Sequence, residues 1–169
     1  MSAPSSRSKL LGCILWPALT LIAATSGGLA SSNARDFYSS LTLPSWAPPG
    51  WLFGPVWTAL YLMMATAAVL VWLTPNRPTR RPLMLFVVQL ALNGLWTWLF
   101  FTWRLGAVAF TEILLLLALI AWTLVSFARV RPAAAILLAP YLAWVCFASY
   151  LSLTIWRLNP DILGPFPLP

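Results

Sequence analysis

Residues 43–64 read LPSWAPPGWLFGPVWTALYLMM, and this stretch decides how the rest of the chain is interpreted. Pro48 and Pro49 cannot lie inside a helix, because proline lacks the N–H and pushes the preceding residue out of the α region. Residues 44–50 are therefore expected to form a stiff, extended segment. The apolar run that follows, with Pro55 in its first turn, predicts a helix.

Aromatic side chains lie on both sides of the prolines. Trp46 and Trp51 flank them, as amphipathic indoles do at the level of the lipid headgroups. Trp57 and Tyr61 are four residues apart and so share one helix face. Two interpretations stay open: an aromatic belt at a membrane interface, which is the commoner arrangement, or one wall of a ligand pocket.

The composition is that of a membrane protein. Of 169 residues, 61% are hydrophobic and 8% are charged, whereas a soluble domain averages about a quarter charged residues. The length fits one bundle, so we predict a single transmembrane domain over residues 1–169. The net charge of +7 comes from basic residues between apolar runs, where they set membrane orientation, and no nucleic-acid partner is expected.

Five apolar runs are long enough to cross a bilayer, which takes about 20 helical residues. They predict an all-α fold, an integral membrane bundle of five transmembrane helices. The first run is longer than the apolar part of a signal peptide and is interpreted as a retained span. Pro140 predicts a kink in the last helix, and the proline-rich tail 157–169 is expected to be irregular. The approximate spans are 10–30, 51–73, 83–101, 106–128 and 133–156.

The longest connection, residues 31–50, is predicted to be an ordered lid across one end of the bundle. Phe37, Tyr38 and Trp46 make it too apolar for a disordered linker, and connections of this length are usually functional when they are ordered. Asp36 is expected to cap a short helical turn within it.

Five spans put the two termini on opposite sides of the membrane. Seven of the ten Lys and Arg residues lie on the side of the N-terminus, which predicts a cytoplasmic N-terminus in a plasma-type membrane. The sequence does not decide which membrane holds the protein. Small residues spaced by four, as at Ala23 and Gly27, permit close helix approach and suggest one seam for a homodimer, the third span being another.

Polar and aromatic side chains recur at helical spacing in the third and fifth spans. Gln89 and Asn93 share one face of the third span, and their amides either bond neighbouring helices or anchor a ligand in an aromatic pocket. In the fifth span, core packing is the commoner explanation of an aromatic stripe. Trp96 and Thr97 lie one turn beyond Asn93, and the stripe of the fifth span consists of Trp144, Ala148 and Leu151 with Phe147 beside it.

Three motifs in the same order resemble the translocator protein family, also called tryptophan-rich sensory proteins or TspO/MBR proteins. The resemblance as a whole extends over residues 38–159. The first is W-x-P-P with a later P-V-W, the second is Q-L-x-L-N with a following tryptophan, and the third is P-Y-x-x-W-x-x-F-A with a later W-R-x-N. They are carried by Trp46, Pro48, Pro49, Phe53, Pro55, Val56 and Trp57, by Gln89, Leu90, Leu92, Asn93 and Trp96, and by Pro140, Tyr141, Trp144, Phe147, Ala148, Leu151, Trp156, Arg157 and Asn159.

The resemblance implies a five-helix bundle with a pocket beneath the loop that follows the first span. In the family this pocket binds porphyrins, and in animal members also sterols and benzodiazepine-type drugs. Thr154 stands where the sterol motif of animal members needs an aromatic, so no dedicated sterol site is expected. The implied ligand-binding positions are Tyr38, Trp57, Tyr61, Asn93, Trp96, Thr97, Trp144, Ala148 and Leu151, and we add Phe147 from the same helix.

No ordinary catalytic or metal centre is suggested by the sequence. Histidine is absent, which excludes Ser-His and Cys-His couples and His-ligated metals, and no cofactor is expected beyond porphyrin as a ligand. Cys13 and Cys146 lie in apolar runs and are interpreted as buried core residues. Glu112, the only acid inside a span, is interpreted as a carboxylate favoured by the start of its helix and by nearby Arg104, an intramembrane functional acid being the alternative.

Three functions from different classes remain. The preferred one is a membrane receptor or sensor for tetrapyrroles. The second is a carrier of porphyrin or lipid. The third is light-dependent porphyrin breakdown, in which Trp57 and Trp144 are the candidate photochemical residues. The expected partners are tetrapyrroles, membrane lipid and a second copy of the chain.

Overall fold

The computed structural model describes residues 6–166, and helices make up most of this part. The predicted all-α class is confirmed: the described residues contain no strand, and five helices are long and apolar enough to span a membrane. One turn of 3₁₀-helix, Gly50–Leu52, precedes α3, and one turn of π-helix, Trp98–Thr102, follows α4. The helices are α1 (Ser6–Ala30), α2 (Ala34–Ser40), α3 (Phe53–Trp72), α4 (Arg80–Thr97), α5 (Gly106–Val130), α6 (Pro132–Leu158) and α7 (Pro160–Leu163).

Prolines set the entry into α3, as the sequence predicts. Pro49 has an extended backbone, with φ −64° and ψ 143°, immediately before the 3₁₀ turn. Pro55 is the third residue of α3, where its missing N–H would have had no intrahelical acceptor. The segment between α2 and this turn is mostly extended, with one turn closed by the N–H of Ala47 donating to the carbonyl of Pro44 at 2.9 Å.

The five long helices pack as a ring in the order α1, α3, α6, α5, α4. α4 and α5 are antiparallel neighbours joined by residues 103–105, as the short connection predicts. α3 and α4, although consecutive in the chain, make few contacts with each other. This arrangement leaves room between α1, α3, α4 and α6 at the end of the bundle where α2 lies.

Buried apolar side chains form two clusters at different depths. The larger runs through the middle of the bundle and includes Met64, Phe86 and Ile120, which are fully buried. The smaller lies under α2 and joins Phe37 to Trp156. Gly106 lets α5 start against this smaller cluster, because a Cβ at that position would overlap the Trp156 indole.

Both cysteines are exposed on the outside of the bundle, so the prediction that they are buried core residues is wrong. The reason is physical: the outer surface of a membrane helix faces lipid, so an apolar run does not distinguish an inward position from an outward one. The free thiols of Cys13 and Cys146 therefore lie outside the pocket described below.

The structure supports only part of the sequence interpretation of Glu112: its depth in α5 is as predicted, but its carboxyl group has no hydrogen-bonding partner in the described part of the chain. The first turn of α5 contains no acidic residue, and Glu112 lies about 9 Å into that helix at 1.5 Å per residue. Arg104 does not neutralise it, because no ion pair is found among the described residues and the Arg104 guanidinium lies 5.0 Å from the ring centroid of Phe37.

The tail and the starts of two spanning helices also depart from the sequence prediction. The tail is not wholly irregular, because α7 forms directly after α6, while its last three residues lie outside the described part. The first and third spanning helices begin at Ser6 and Arg80, earlier than their apolar runs. Polar residues extend a membrane helix into the interface, where hydropathy does not detect them.

Candidate functional site

A cavity of about 450 Å³ lies beneath the lid, residues 31–50, between α1, α3, α4 and α6. Its size is in the range of small-molecule sites, and its lining is dominated by aromatic and small side chains. The lining residues are Ala24, Gly27, Gly28, Ser31, Ala34, Arg35, Tyr38, Gly50, Phe53, Gly54, Trp57, Thr58, Tyr61, Asn93, Trp96, Thr97, Phe101, Trp144 and Ala148.

Aromatic rings from three helices form most of the wall. Trp57 and Tyr61 of α3 pack against each other with ring centroids 5.5 Å apart, which follows from their spacing of four residues. Phe53 lies edge-on to Trp144 of α6 at 5.9 Å. Trp96 of α4 stacks on Phe100 at 5.1 Å and 14°, and this stacking fixes the plane of its indole.

A chain of three polar side chains crosses the floor of the pocket. The Tyr61 hydroxyl donates to Asn93 Oδ1 at 2.7 Å, and Asn93 Nδ2 donates to the hydroxyl of Tyr141 at 3.2 Å. Tyr141 is fully buried, and its ring lies 6.2 Å from that of Trp57. Asn93 therefore joins α3, α4 and α6, and it lines the pocket as well.

Gln89, one turn earlier on α4, does not line the pocket. Its side chain is 1% exposed, and neither atom of its amide head has a hydrogen-bond partner within the described part of the chain. Gln89 and Asn93, whose spacing puts them on one helix face, thus have different surroundings: only Asn93 lines the pocket and has hydrogen-bond partners.

The α1 wall consists of small residues. A Cβ at Gly27 would come 3.5 Å from Thr97 Oγ1 and 3.7 Å from the Tyr61 hydroxyl, so Gly27 faces the inside of the bundle. The small residues Ala23 and Gly27 therefore let α1 approach other helices of the same copy. The prediction that they form a seam between two copies is wrong. Gly28 beside it has no atom within 4 Å of its Cβ position and leaves open space.

The lid is tied down by aromatic packing and hydrogen bonds. The Tyr38 hydroxyl donates to the carbonyl of Pro48 at 3.0 Å, and its ring lies edge-on to Phe53 at 5.4 Å. Burial raises the pKa of Tyr38 above its ordinary value of 10.0, so the phenol remains a neutral donor at physiological pH. Trp46, at the outer edge, stacks on Tyr150 of α6 at 5.1 Å and 15°.

Among the described residues, Arg35 is the only charged side chain in the lining. It lies on the lid helix α2 and is exposed. The described residues contain no group of three or more His, Cys, Asp or Glu placed to hold a metal ion. The cavity is thus an apolar, aromatic space with one cation at its rim.

Eight of the ten residues proposed from the sequence line this cavity, and two do not. Phe147 packs against Trp144 and Trp46, with centroid distances of 5.5 and 6.0 Å. Leu151 is buried in the cluster under α2, because the stripe on α6 turns away from the cavity at this depth. Trp51 is 65% exposed, as expected of an aromatic belt.

Sequence reasoning named Tyr38 of the lid helix, but its list of binding residues missed the rest of that helix and the whole of α1. Ala24 and Gly28 form part of the wall, and Ala34 and Arg35 form part of the rim. The spacing of the small residues predicts close approach, but it does not indicate whether a helix or a ligand fills the space beside them.

Comparison with known proteins places the chain beside one family. The family model described as TspO/MBR matches residues 14–157. The tryptophan-rich protein TspO of Chlorobaculum tepidum is 42% identical over 154 residues, covering 87% of this chain and 98% of that protein. The translocator protein of Homo sapiens is 41% identical over 136 residues, covering 79% and 80%, and the tryptophan-rich sensory protein of Cereibacter sphaeroides is 34% identical over 136 residues, covering 80% and 84%.

Proposed function

The chain belongs to the TspO/MBR family, and on that premise we propose that it is a membrane receptor or sensor that binds porphyrins in the pocket under the lid. The observation that carries the proposal is the cavity of about 450 Å³ walled by Trp57, Trp96 and Trp144. Each aromatic contact adds about 0.5–1.5 kcal/mol beyond area burial, so several such contacts suit a large planar ring.

The charge of the pocket suits a tetrapyrrole with acidic side groups. Arg35 lies at the rim, where it can meet carboxylates while the ring enters the aromatic interior. Thr97 and Thr58 add hydroxyl groups to the lining. This division into an apolar interior and a cationic rim supports a porphyrin over a wholly apolar ligand.

A lid held by specific bonds supports the sensor assignment. Ligand in the cavity would contact Tyr38 directly, and Tyr38 holds the carbonyl of Pro48. Occupancy can therefore change the order of the lid, and an ordered or released lid is a surface that a partner can recognise.

The alternatives are a carrier of porphyrin or lipid and light-dependent porphyrin breakdown. The names of the relatives include both translocator and sensory protein, so these names do not separate a receptor from a carrier. For the third, Trp57 and Trp144 are the candidate residues, since both indoles line the cavity.

Protoporphyrin titration of the purified protein tests binding, with tryptophan fluorescence as the signal. Flux in sealed proteoliposomes then separates the functions. Saturable binding without porphyrin flux supports the receptor, flux that the protein accelerates supports the carrier, and loss of porphyrin only under illumination supports the photochemical reaction. Absence of saturable binding refutes the receptor, the porphyrin carrier and the photochemical reaction, and leaves only a carrier of lipid.

Orientation and assembly belong to the same proposal. The protein is a multi-pass integral membrane protein. We propose that in a plasma-type membrane its N-terminal end faces the cytoplasm, and that it forms a homodimer. With the Ala23 and Gly27 seam excluded, α4 is the remaining candidate, and Val87, Val88 and Ala91 are exposed on its outer surface. Crosslinking in native membranes tests it, and recovery of monomer alone refutes it.

A further inference from the structure

Glu112 is a buried acid for which the structure provides no partner. It lies on α5 with 8% of its surface exposed, and neither oxygen of its carboxyl group has a hydrogen-bond partner within the described part of the chain. The pocket lining does not include it. It is therefore a titratable group that the proposed binding site does not use.

No basic side chain is paired with Glu112 within the described part of the chain, and Arg104, the nearest in sequence, lies over the ring of Phe37. All ten Arg and Lys side chains of the protein are exposed. On α4 the basic residues are Arg80 and Arg81, in its first turn at the other end of the bundle, and on α6 the only one is Arg157, in its last turn. Glu112 is thus surrounded by uncharged groups.

The titratable groups on the packed elements are few. On α6, Tyr141 is fully buried in the same cluster as Ile113, the neighbour of Glu112, whereas Cys146 and Tyr150 are exposed on the outer surface. Inside the bundle, α4 contributes only uncharged side chains such as Gln89, and the π turn Trp98–Thr102 has no titratable group.

An ionised carboxylate in such surroundings is very unfavourable. Transfer of an isolated charge into an apolar medium costs so much that the group takes up a proton instead. The same holds within a bilayer, where ionisable side chains pair with one another or face water. We propose that Glu112 is a proton-binding site that is occupied at neutral pH and coupled to the ligand pocket.

The coupling runs through side chains already described. Glu112 lies on α5, which packs against α6, and its neighbour Ile113 belongs to the same buried cluster as Tyr141. The Tyr141 hydroxyl accepts a hydrogen bond from Asn93, and Asn93 accepts one from Tyr61. Asn93 and Tyr61 line the pocket. A charge at either end of this chain therefore acts on the other across a low-dielectric interior, where interactions between charges are strong.

The direction of the coupling follows from charge. An anionic ligand in the pocket disfavours a second negative charge at Glu112, so ligand and proton stabilise each other. Linkage is reciprocal, and an anionic porphyrin must therefore raise the pH at which Glu112 loses its proton. This part of the inference rests on the proposed porphyrin pocket, whereas the proton-binding site itself does not.

The first test is an infrared titration of the ligand-free protein in lipid. The protein has only three acidic side chains, and Asp36 and Asp161 are both exposed, so a carboxylic acid band at neutral pH can be assigned. We expect the band in the wild type and in an Asp36→Asn, Asp161→Asn double variant. It should disappear in Glu112→Gln and move in Glu112→Asp. Absence of the band at neutral pH in the wild type and the double variant overturns the proposal, whether or not the position 112 variants fold.

The second test adds ligand to the same samples. Protoporphyrin, which carries carboxylates, should raise the pH at which the band disappears, and its uncharged dimethyl ester should leave that pH unchanged. Binding of protoporphyrin without any shift overturns the coupling. If neither compound binds, the proposed function fails, and the first test still decides whether Glu112 holds a proton.

Discussion

The side-chain amide of Asn159 both donates a hydrogen bond to the backbone of Thr42 and accepts one from it, although the two residues are 117 positions apart in the sequence. Its Oδ1 accepts from the Thr42 N–H at 2.8 Å, and its Nδ2 donates to the Thr42 carbonyl at 2.9 Å and to the Ile155 carbonyl at 2.8 Å. Asn159 is 5% exposed; its bond to Ile155 is buried, and its two bonds to Thr42 are partly buried. The middle of the lid is thereby fixed to the end of the last spanning helix.

Replacing Asn159 should release the lid. Asn159→Ala removes two partly buried hydrogen bonds to the backbone of Thr42, and a typical intramolecular hydrogen bond contributes about 0.5–1.5 kcal/mol. We expect faster amide exchange over residues 41–47 and roughly tenfold weaker porphyrin binding, since about 1.4 kcal/mol corresponds to tenfold in affinity. Asn33→Ala is the matched control, because that exposed residue of the lid makes no side-chain capping bond. Equal exchange in the two variants would contradict the role of Asn159.

The prolines of the lid should matter more for binding than for unliganded stability. Pro48→Ala and Pro49→Ala together give the unfolded or open segment more conformations, and each replacement costs about 0.4–1 kcal/mol. We expect a lower porphyrin affinity with a small change in the melting temperature of the ligand-free protein. The control is Pro75→Ala with Pro78→Ala, in the exposed loop at the other end of the bundle. An unchanged affinity would count against an ordered lid.

The pocket tryptophans should carry both affinity and fluorescence quenching. Trp57→Phe or Trp144→Phe should weaken protoporphyrin binding about threefold to tenfold, from the loss of about 0.5–1.5 kcal/mol of aromatic contact. Each should also reduce the quenching and any light-dependent loss of porphyrin. Trp122→Phe is the control, because Trp122 is 61% exposed on α5 and does not line the cavity. Equal effects of the three replacements would mean that porphyrin binds elsewhere.

Metal-free protoporphyrin should bind about as tightly as haemin. No histidine is present, and Cys13 and Cys146 are exposed outside the pocket. The hydroxyl protons of Tyr38 and Tyr61 are already donated to Pro48 and Asn93, which disfavours either phenol as an iron ligand. Paired titrations in detergent test this. A haemin spectrum with a strong-field axial ligand, together with much tighter haemin binding, would refute stacking as the mode of recognition.

The two ends of the described chain should lie on opposite sides of the membrane. Five spanning helices require it, and the basic residues predict that the N-terminal end is cytoplasmic. Single cysteines introduced at Ser6 and Pro165, with Cys13 and Cys146 replaced by alanine, can be labelled with an impermeant reagent in oriented vesicles. Labelling of both positions from the same side would mean that the number of spans is not five.

The amino-acid sequence by itself determined the class of fold and the number of spans. Apolar runs of about 20 residues and a backbone that must satisfy its own hydrogen bonds in lipid leave helices as the solution. The prolines at 48, 49 and 55 set the entry into α3 through constraints that act on neighbouring residues only. The shared face of Trp57 and Tyr61 follows from the helical repeat in the same way.

Only the tertiary structure decided which faces point inward. Hydropathy cannot separate a lipid-facing position from a core position. For this reason Cys146 was predicted to be buried although it is exposed. Gly27 was likewise predicted to lie between two copies, whereas it faces the inside of one bundle. The pairing of Asn159 with Thr42 and the isolation of Glu112 depend on residues that are far apart in the chain. These contacts exist because the ring of helices brings α6 against α5 and the lid, and local sequence patterns do not encode that order.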